Sequence, residues 1–195
     1  IFVTGMLKQV VELDRFLLQL INQQWSNPVF DTVLPFVRNQ YLWAPVYLFL
    51  LLFAVLNFRR QALGWILVFL ITFALTDLIS TQVLKAFIQR PRPCWDSISS
   101  TQVRMLIPCS HAYSFVSSHA ANHFGIAAFL WATFRHLQLK FLWLVLIWAG
   151  LVAYAQVYVG AHFPFDVLGG ALLGWLTGRL TGSQFNRRFG ILRAT

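Results

Sequence analysis

A chain of 195 residues that is 58% hydrophobic and only 11% charged, with a mean hydropathy of +0.64, excludes an ordinary soluble domain, where about a quarter of residues carry charge. Fifteen Lys and Arg stand against six Asp and Glu, a formal net charge of +9. The basic residues form no stripe interleaved with aromatics and no nucleic-acid motif, so the excess points to loops at a lipid surface or to an anionic substrate.

In chain order, "VVELDRFLLQLINQQW" comes first, with apolar residues at helical spacing around Glu12, Asp14 and Arg15. It predicts an amphipathic helix lying in the membrane interface, ended by Asn27-Pro28. Five apolar runs follow that are long enough to cross a bilayer, at about 41–58, 62–84, 118–135, 141–159 and 165–181. The expected fold is therefore all-α. It is a polytopic transmembrane helical bundle of about five spans, forming a single domain over 1–195, with 1–40 as an interfacial N-terminal segment and 85–117 as a long loop. No repeat, second domain or low-complexity linker interrupts it. With Ile1 in first place the native start is expected upstream, and no signal peptide is legible.

Short connections holding Arg59, Arg60, Arg135 and Lys140, and the tail with Arg179, Arg187, Arg188 and Arg193, mark one side as cytoplasmic. The other side also carries cations, Lys8, Arg15, Arg38, Lys85, Arg90, Arg92 and Arg104, so the asymmetry is weak. That second side gathers the polar helix ends. The second span closes on Lys85, the loop carries "RPRP" at Arg90 to Pro93, and the third span opens on Ser117, Ser118 and His119. The fourth closes on Gln156 and Tyr158, and the fifth opens near His162 and Asp166. Helix N-termini present unpaired N–H groups and partial positive charge, so this face suits a phosphate-like anion next to lipid.

Three blocks carry a resemblance. "KAFIQRPRP" fits K-x6-R-P with Lys85, Arg92 and Pro93; "VSSH" at Val116 to His119 stands where a P-S-G-H would; "AQVYVGAHFPFD" at Ala155 to Asp166 stands where an S-R-x5-H-x3-D would. In this order and at these helix ends, the chain resembles the type 2 phosphatidic acid phosphatase superfamily, in its membrane lipid-phosphate phosphatase branch; the superfamily also contains vanadium haloperoxidases. The resemblance implies that His162 is a nucleophile forming a phosphohistidine, that Asp166 holds its other ring nitrogen, and that His119 protonates the leaving oxygen and later activates water. It implies phosphate binding by Lys85, Arg92, Ser117, Ser118 and Gln156, and neither a metal nor any other cofactor.

Two departures stand out. Val116 and Ser118 replace a proline and a glycine, and Ala155-Gln156 replaces Ser-Arg, so a neutral amide stands where a guanidinium grips the phosphate. Arg90 or Arg104 is expected to supply the lost charge from the loop. Asn122 and His123, three and four residues beyond His119, are expected to support it, though His123 reads more readily as a plain bundle residue. Asp77 shares a helix face with Thr81 and Lys85, either as a buried hydrogen-bond partner or as part of a polar path. Gly170, Gly174 and Gly178 repeat by four, which suits close helix packing inside the bundle or in a homodimer. Cys94 and Cys109 fall in the long loop, either as a disulfide or as two free thiols.

The expected activity is hydrolysis of a lipid phosphate or diphosphate monoester. Undecaprenyl diphosphate, phosphatidylglycerol phosphate, phosphatidic acid and lipid A phosphates are all candidates. The expected partners are that lipid and the bilayer, with no nucleic acid. The expected place is a bacterial cytoplasmic membrane, with the site facing the periplasm or exterior. The alternatives are a lipid phosphotransferase using the same histidine, and a catalytically weakened lipid-phosphate-binding protein.

Overall fold

The computed structural model describes residues 2–190, with side chains from residue 5 onward. Among the described residues there is no strand. Seven helices carry the fold: α1 (Phe2–Gln19), α2 (Pro28–Val37), α3 (Ala44–Asn57), α4 (Ala62–Leu78), α5 (Ser118–Phe134), α6 (Leu144–Tyr158) and α7 (Pro164–Arg188). α1 runs on through a wider π turn at Leu20–Gln24, and α4 through another at Ile79–Leu84 to a last turn at Lys85–Ile88. The α4 rod stops where Gln89 turns into the left-handed region at φ +52°.

The 1–40 segment holds two helices where the sequence suggested one. Asn27 does not merely end α1. Its side chain accepts from the Phe30 N–H at 2.9 Å and Pro28 takes the first helical position, so the pair also starts α2. Among the described side chains, α1 and the π turn that continues it bury only a narrow stripe, Asp14, Leu18 and Asn22, and leave Met6, Leu7, Val10, Leu13 and Phe16 exposed.

Two helical rods, Gln40–Asn57 and Arg59–Ile88, are long and apolar enough to cross a membrane. The other three predicted spans coincide with α5, α6 and α7, each packed differently. α5 is the central helix, enclosed along nearly its whole length from Ala120 to Phe134. α7 has two unlike faces. Leu168, Leu172, Leu176 and Leu180 point outward, each about 60% exposed. Gly170, Gly174 and Gly178 face α5 so closely that a Cβ on them would run into the carbonyl oxygens of Ser117, Ala121 and Gly125. The glycine repeat is therefore filled by a contact within the bundle.

Below this seam, Trp65 stacks on Phe69 and Phe134 with ring centroids 5.3 and 5.5 Å away, in a core that also holds Phe58, Phe129 and Phe185. At the opposite end, Leu34 and Val37 of α2 pack on Val152, Ala155 and Val159. The wide exposure of leucine, valine and phenylalanine on α3, α4 and α7 is what a lipid-facing surface requires.

Candidate active site

The loop after α4 folds over one end of the bundle and is tied down at several points. Cys94 and Cys109 are joined by a disulfide, with Cα atoms 6.3 Å apart. Asp96 receives a forked pair of bonds from Arg15 of α1, at 2.8 and 3.1 Å, and a third from the Ser99 N–H. Burial would raise the Asp96 carboxyl, but the Arg15 and Ser99 bonds outweigh it and bring it down to about 2. Arg104 bonds Asp31 at 2.6 Å and the Asn22 carbonyl at 2.9 Å. Asn22 in turn accepts from the Arg104 N–H and donates to the carbonyls of Arg104 and Tyr158.

Beneath the loop lies a cavity of about 260 Å³. Arg38, Lys85, Arg92, Ser118, His119 and His162 line it, with Met105, Ile107 and Pro108 forming an apolar wall. Residues from all three sequence blocks thus meet in one space. Ser118 and His119 belong to the first turn of α5, so that helix directs its N-terminal partial charge at the cavity.

His162 sits in the turn between α6 and α7, where Gly160 takes φ +82°. Its ring is 2% exposed. The resemblance implies a direct contact to Asp166, but the carboxylate oxygen is 3.8 Å from Nδ1. Ser114 fills the gap, with its Oγ 2.5 Å from Asp166 Oδ2 and 3.2 Å from His162 Nδ1. A carboxylate only accepts, so the serine proton goes to Asp166, and Oγ then accepts from Nδ1–H. That tautomer leaves Nε2 with its lone pair free. Burial, aided by the charges of Arg92 and Lys85 and opposed by Asp166, pushes the imidazole down to about 4, so the ring is neutral near pH 7. No sequence block contains Ser114, which stands three residues ahead of Ser117 and reads as loop.

Asp166 is fully buried and satisfied on every side. It accepts from Ser114, from the Phe163 N–H at 3.0 Å and from Arg90 at 2.7 Å. Arg90 also reaches Asp14 of α1 at 2.6 Å and lies 4.2 Å over the Phe163 ring. Arg90 is therefore a clamp behind the site. Arg104 is committed to α1 and α2. Neither lines the cavity, so neither stands where the expected substitute for the third-block arginine was sought.

The remaining predicted residues divide in the same way. Arg92 uses Nε and Nη1 on the carbonyls of Ala112 and Ala161 and lines the cavity. Ser117 is fully buried, caps the Ala120 N–H and lies outside the cavity lining, whereas the Ser118 hydroxyl lines it and is buried without a partner. Gln156 is also fully buried and outside the lining; its Oε1 accepts from Arg38 Nε at 3.3 Å. Asn122 ties α5 to α4, accepting from Thr76 at 2.7 Å and donating to Asp77 at 3.0 Å. Asp77 is thus an inter-helix hydrogen-bond partner. His123 bonds the His119 carbonyl at 2.8 Å and the Tyr47 hydroxyl at 3.3 Å, and packs on Trp148.

A cavity walled by cations, with a neutral buried histidine held by a serine and a carboxylate and a second histidine on the next wall, defines an enzyme acting on phosphate esters at a lipid boundary. The family model of the PAP2 superfamily matches residues 64–189, more than half of the chain. The chain belongs to that superfamily and is a membrane-integral lipid phosphate phosphatase. It is 28% identical to the lipid A 4'-phosphatase of Bacteroides thetaiotaomicron over 178 residues, covering 90% of this chain and 78% of that one. It is 32% identical to phosphatidylglycerophosphatase B of Bacillus subtilis over 169 residues, covering 80% and 74%. The crystal structure of Aquifex aeolicus LpxE superposes with a TM-score of 0.62 at 29% identity, over 85% of this chain and 92% of that one.

Proposed function

We propose that the chain, as a single domain, removes a terminal phosphate from a membrane lipid through a phosphohistidine formed on His162. The observation that carries this reading is the His162 site itself: a tautomer fixed through Ser114 and Asp166, opening on a cavity whose walls hold Lys85, Arg92, Ser118 and His119. Nε2 attacks phosphorus while the bond from phosphorus to the ester oxygen breaks. His119 gives that oxygen its proton. The imidazolium formed on His162 is stabilised by Asp166 through the Ser114 hydroxyl. His119 then takes a proton from water, whose oxygen attacks phosphorus and frees His162 and inorganic phosphate. Lys85, Arg92 and the N-terminus of α5 hold the phosphate oxygens throughout.

The lipid tail stays in the bilayer while the head group enters. α3 to α7 form five crossings, and α1 lies at the interface with its exposed apolar face in lipid. The disulfide between Cys94 and Cys109 supports placing the site on the oxidising, periplasmic side of a bacterial inner membrane. The likeness to a lipid A 4'-phosphatase over 90% of the chain makes a lipid A phosphate the first substrate to try, ahead of phosphatidylglycerol phosphate, undecaprenyl diphosphate and phosphatidic acid. The test is phosphate release from each of these in detergent micelles by wild type and His162→Ala. Release from at least one lipid by wild type, absent in the variant, is expected. Equal release by both would end the phosphohistidine reading. Transfer to an added alcohol in place of release would make the chain a phosphotransferase.

A further inference from the structure

The superfamily pattern has an arginine in its third block, and this chain has Gln156 there, buried and outside the cavity lining. We propose that Arg38, at the end of α2, is the third phosphate-binding cation of this site, and that Gln156 is the residue that holds it in place. The assignment rests on the phosphatase reading of the cavity and adds to it a residue from outside every sequence block.

Arg38 and Gln156 are 118 positions apart and meet through packing of α2 on α6. An arginine can only donate, so the amide atom facing Nε must be the oxygen. The Gln156 amide nitrogen finds no partner, which leaves the bond to Arg38 as the polar contact that side chain makes. The chain leading into Arg38 is fixed by Leu34 and Val37, buried against α6, and by Trp43, whose indole donates to the Val37 carbonyl at 2.8 Å.

Charge points the same way. Arg15, Arg90 and Arg104 each lie against a carboxylate. Among the described residues Arg38 is in no salt bridge. It faces Lys85 and Arg92 across the cavity instead, close enough that its charge, second to burial, disfavours the charged form of Arg92. Three cations that converge on a part-buried space with no acid among them repel one another, and a multiply charged anion between them removes that cost. An arginine from the third block would enter from α6. Here the guanidinium enters from α2, and the α6 position has become a neutral acceptor that orients it.

The experiment is equilibrium binding of orthovanadate, a tetrahedral phosphate analogue, to the full chain in detergent, with lipid phosphate release measured alongside. Arg38→Ala is expected to weaken vanadate binding by about 10- to 100-fold, the loss of one charge-assisted contact, without a fall in melting temperature. Gln156→Arg alone is expected to weaken binding too, because it removes the acceptor and crowds a second guanidinium against the first. The exchange Arg38→Gln with Gln156→Arg restores one cation and one amide, and is expected to bind more tightly than either single variant. If Arg38→Ala fails to fold, Arg38→Gln keeps the bulk and should show the same loss. Vanadate binding by Arg38→Ala or Arg38→Gln within about twofold of wild type would overturn the assignment. An exchange variant no better than its parents would overturn the role given to Gln156. A wild type that binds vanadate but releases phosphate from no lipid would remove the hydrolase reading alone, and the binding arms would still decide Arg38.

Discussion

The two ends of the bundle are held together by different physics. At the site end, ion pairs do the work. Three arginines hold four carboxylates there: Arg15 of α1 holds Asp96, and the loop supplies Arg90 to Asp14 and Asp166 and Arg104 to Asp31. At the other end, aromatic rings stack around Trp65, and between the two a seam of glycines, starting against Ser117 beside the site, lets α7 press against the backbone of α5. The contrast explains how so basic a chain keeps a cationic cavity. Of its six acids, four pair with arginines, Glu12 pairs with Lys8 and Asp77 bonds Asn122. None lines the cavity. The acids have become architecture, and Arg38, Lys85 and Arg92, which line the cavity with no acid beside them there, face the place where an anion would sit.

If that division is right, damage at the two ends should separate cleanly. The largest expected effect is on chemistry alone. His162→Ala should lower kcat by on the order of 10^4-fold or more while leaving the melting temperature close to wild type. Ser114→Ala comes next. It leaves Asp166 and His162 in place but removes the hydroxyl between them, so kcat should fall by about 10- to 100-fold with KM little changed, and Ser114→Thr should recover part of the loss. A Ser114→Ala enzyme with wild-type kcat would mean that Asp166 acts on His162 without the bridge.

Along the glycine seam below the site the effect should be on stability. A Cβ at Gly174 meets the Ala121 carbonyl, so Gly174→Ala should lower the melting temperature by roughly 3–10 °C. Leu172→Ala, two residues away on the exposed face of the same helix, should move it by no more than about 1–2 °C. Equal losses in the two would show that the seam tolerates a methyl group and that the glycine spacing has another cause.

Much of this was legible in the sequence, and the gaps have a common cause. Lys85, Arg92, His119 and His162 were readable because the blocks fix them at helix ends or in the connections beside them, and helix ends cluster by topology. The glycine repeat was readable as close packing, but not its partner, because period alone does not say which helix fills the groove. Ser114, Arg38 and the fates of Arg90 and Arg104 were not readable. Each depends on a contact between distant segments, the nearest being the 48 residues from Ser114 to His162 and the farthest the 118 from Arg38 to Gln156. A loop arginine looks like a free cation until its carboxylate is located, and the carboxylates here lie on α1 and α2 and at the start of α7. α2 itself was hidden because Asn27-Pro28, read as a stop for α1, is also the start of the next helix.

The smallest expected effect tests the architectural role of the acids by pH. Asp96 titrates near 2 in the folded protein, below the ordinary carboxyl value of 3.8, because Arg15 and Ser99 hold its charged form. A depressed carboxyl contributes its stability above the unfolded value and loses it as pH falls toward the folded value. Asp96→Asn should therefore melt below wild type at pH 6, and the gap should close between about pH 4 and pH 2 as both proteins come to carry a neutral group at this position. The gap should also shrink in salt, since the Arg15 side chain is 23% exposed. A gap that persists unchanged at pH 2 would mean that Asp96 holds the loop through its neutral hydrogen bonds to Ser99, and that the pair to α1 contributes nothing measurable.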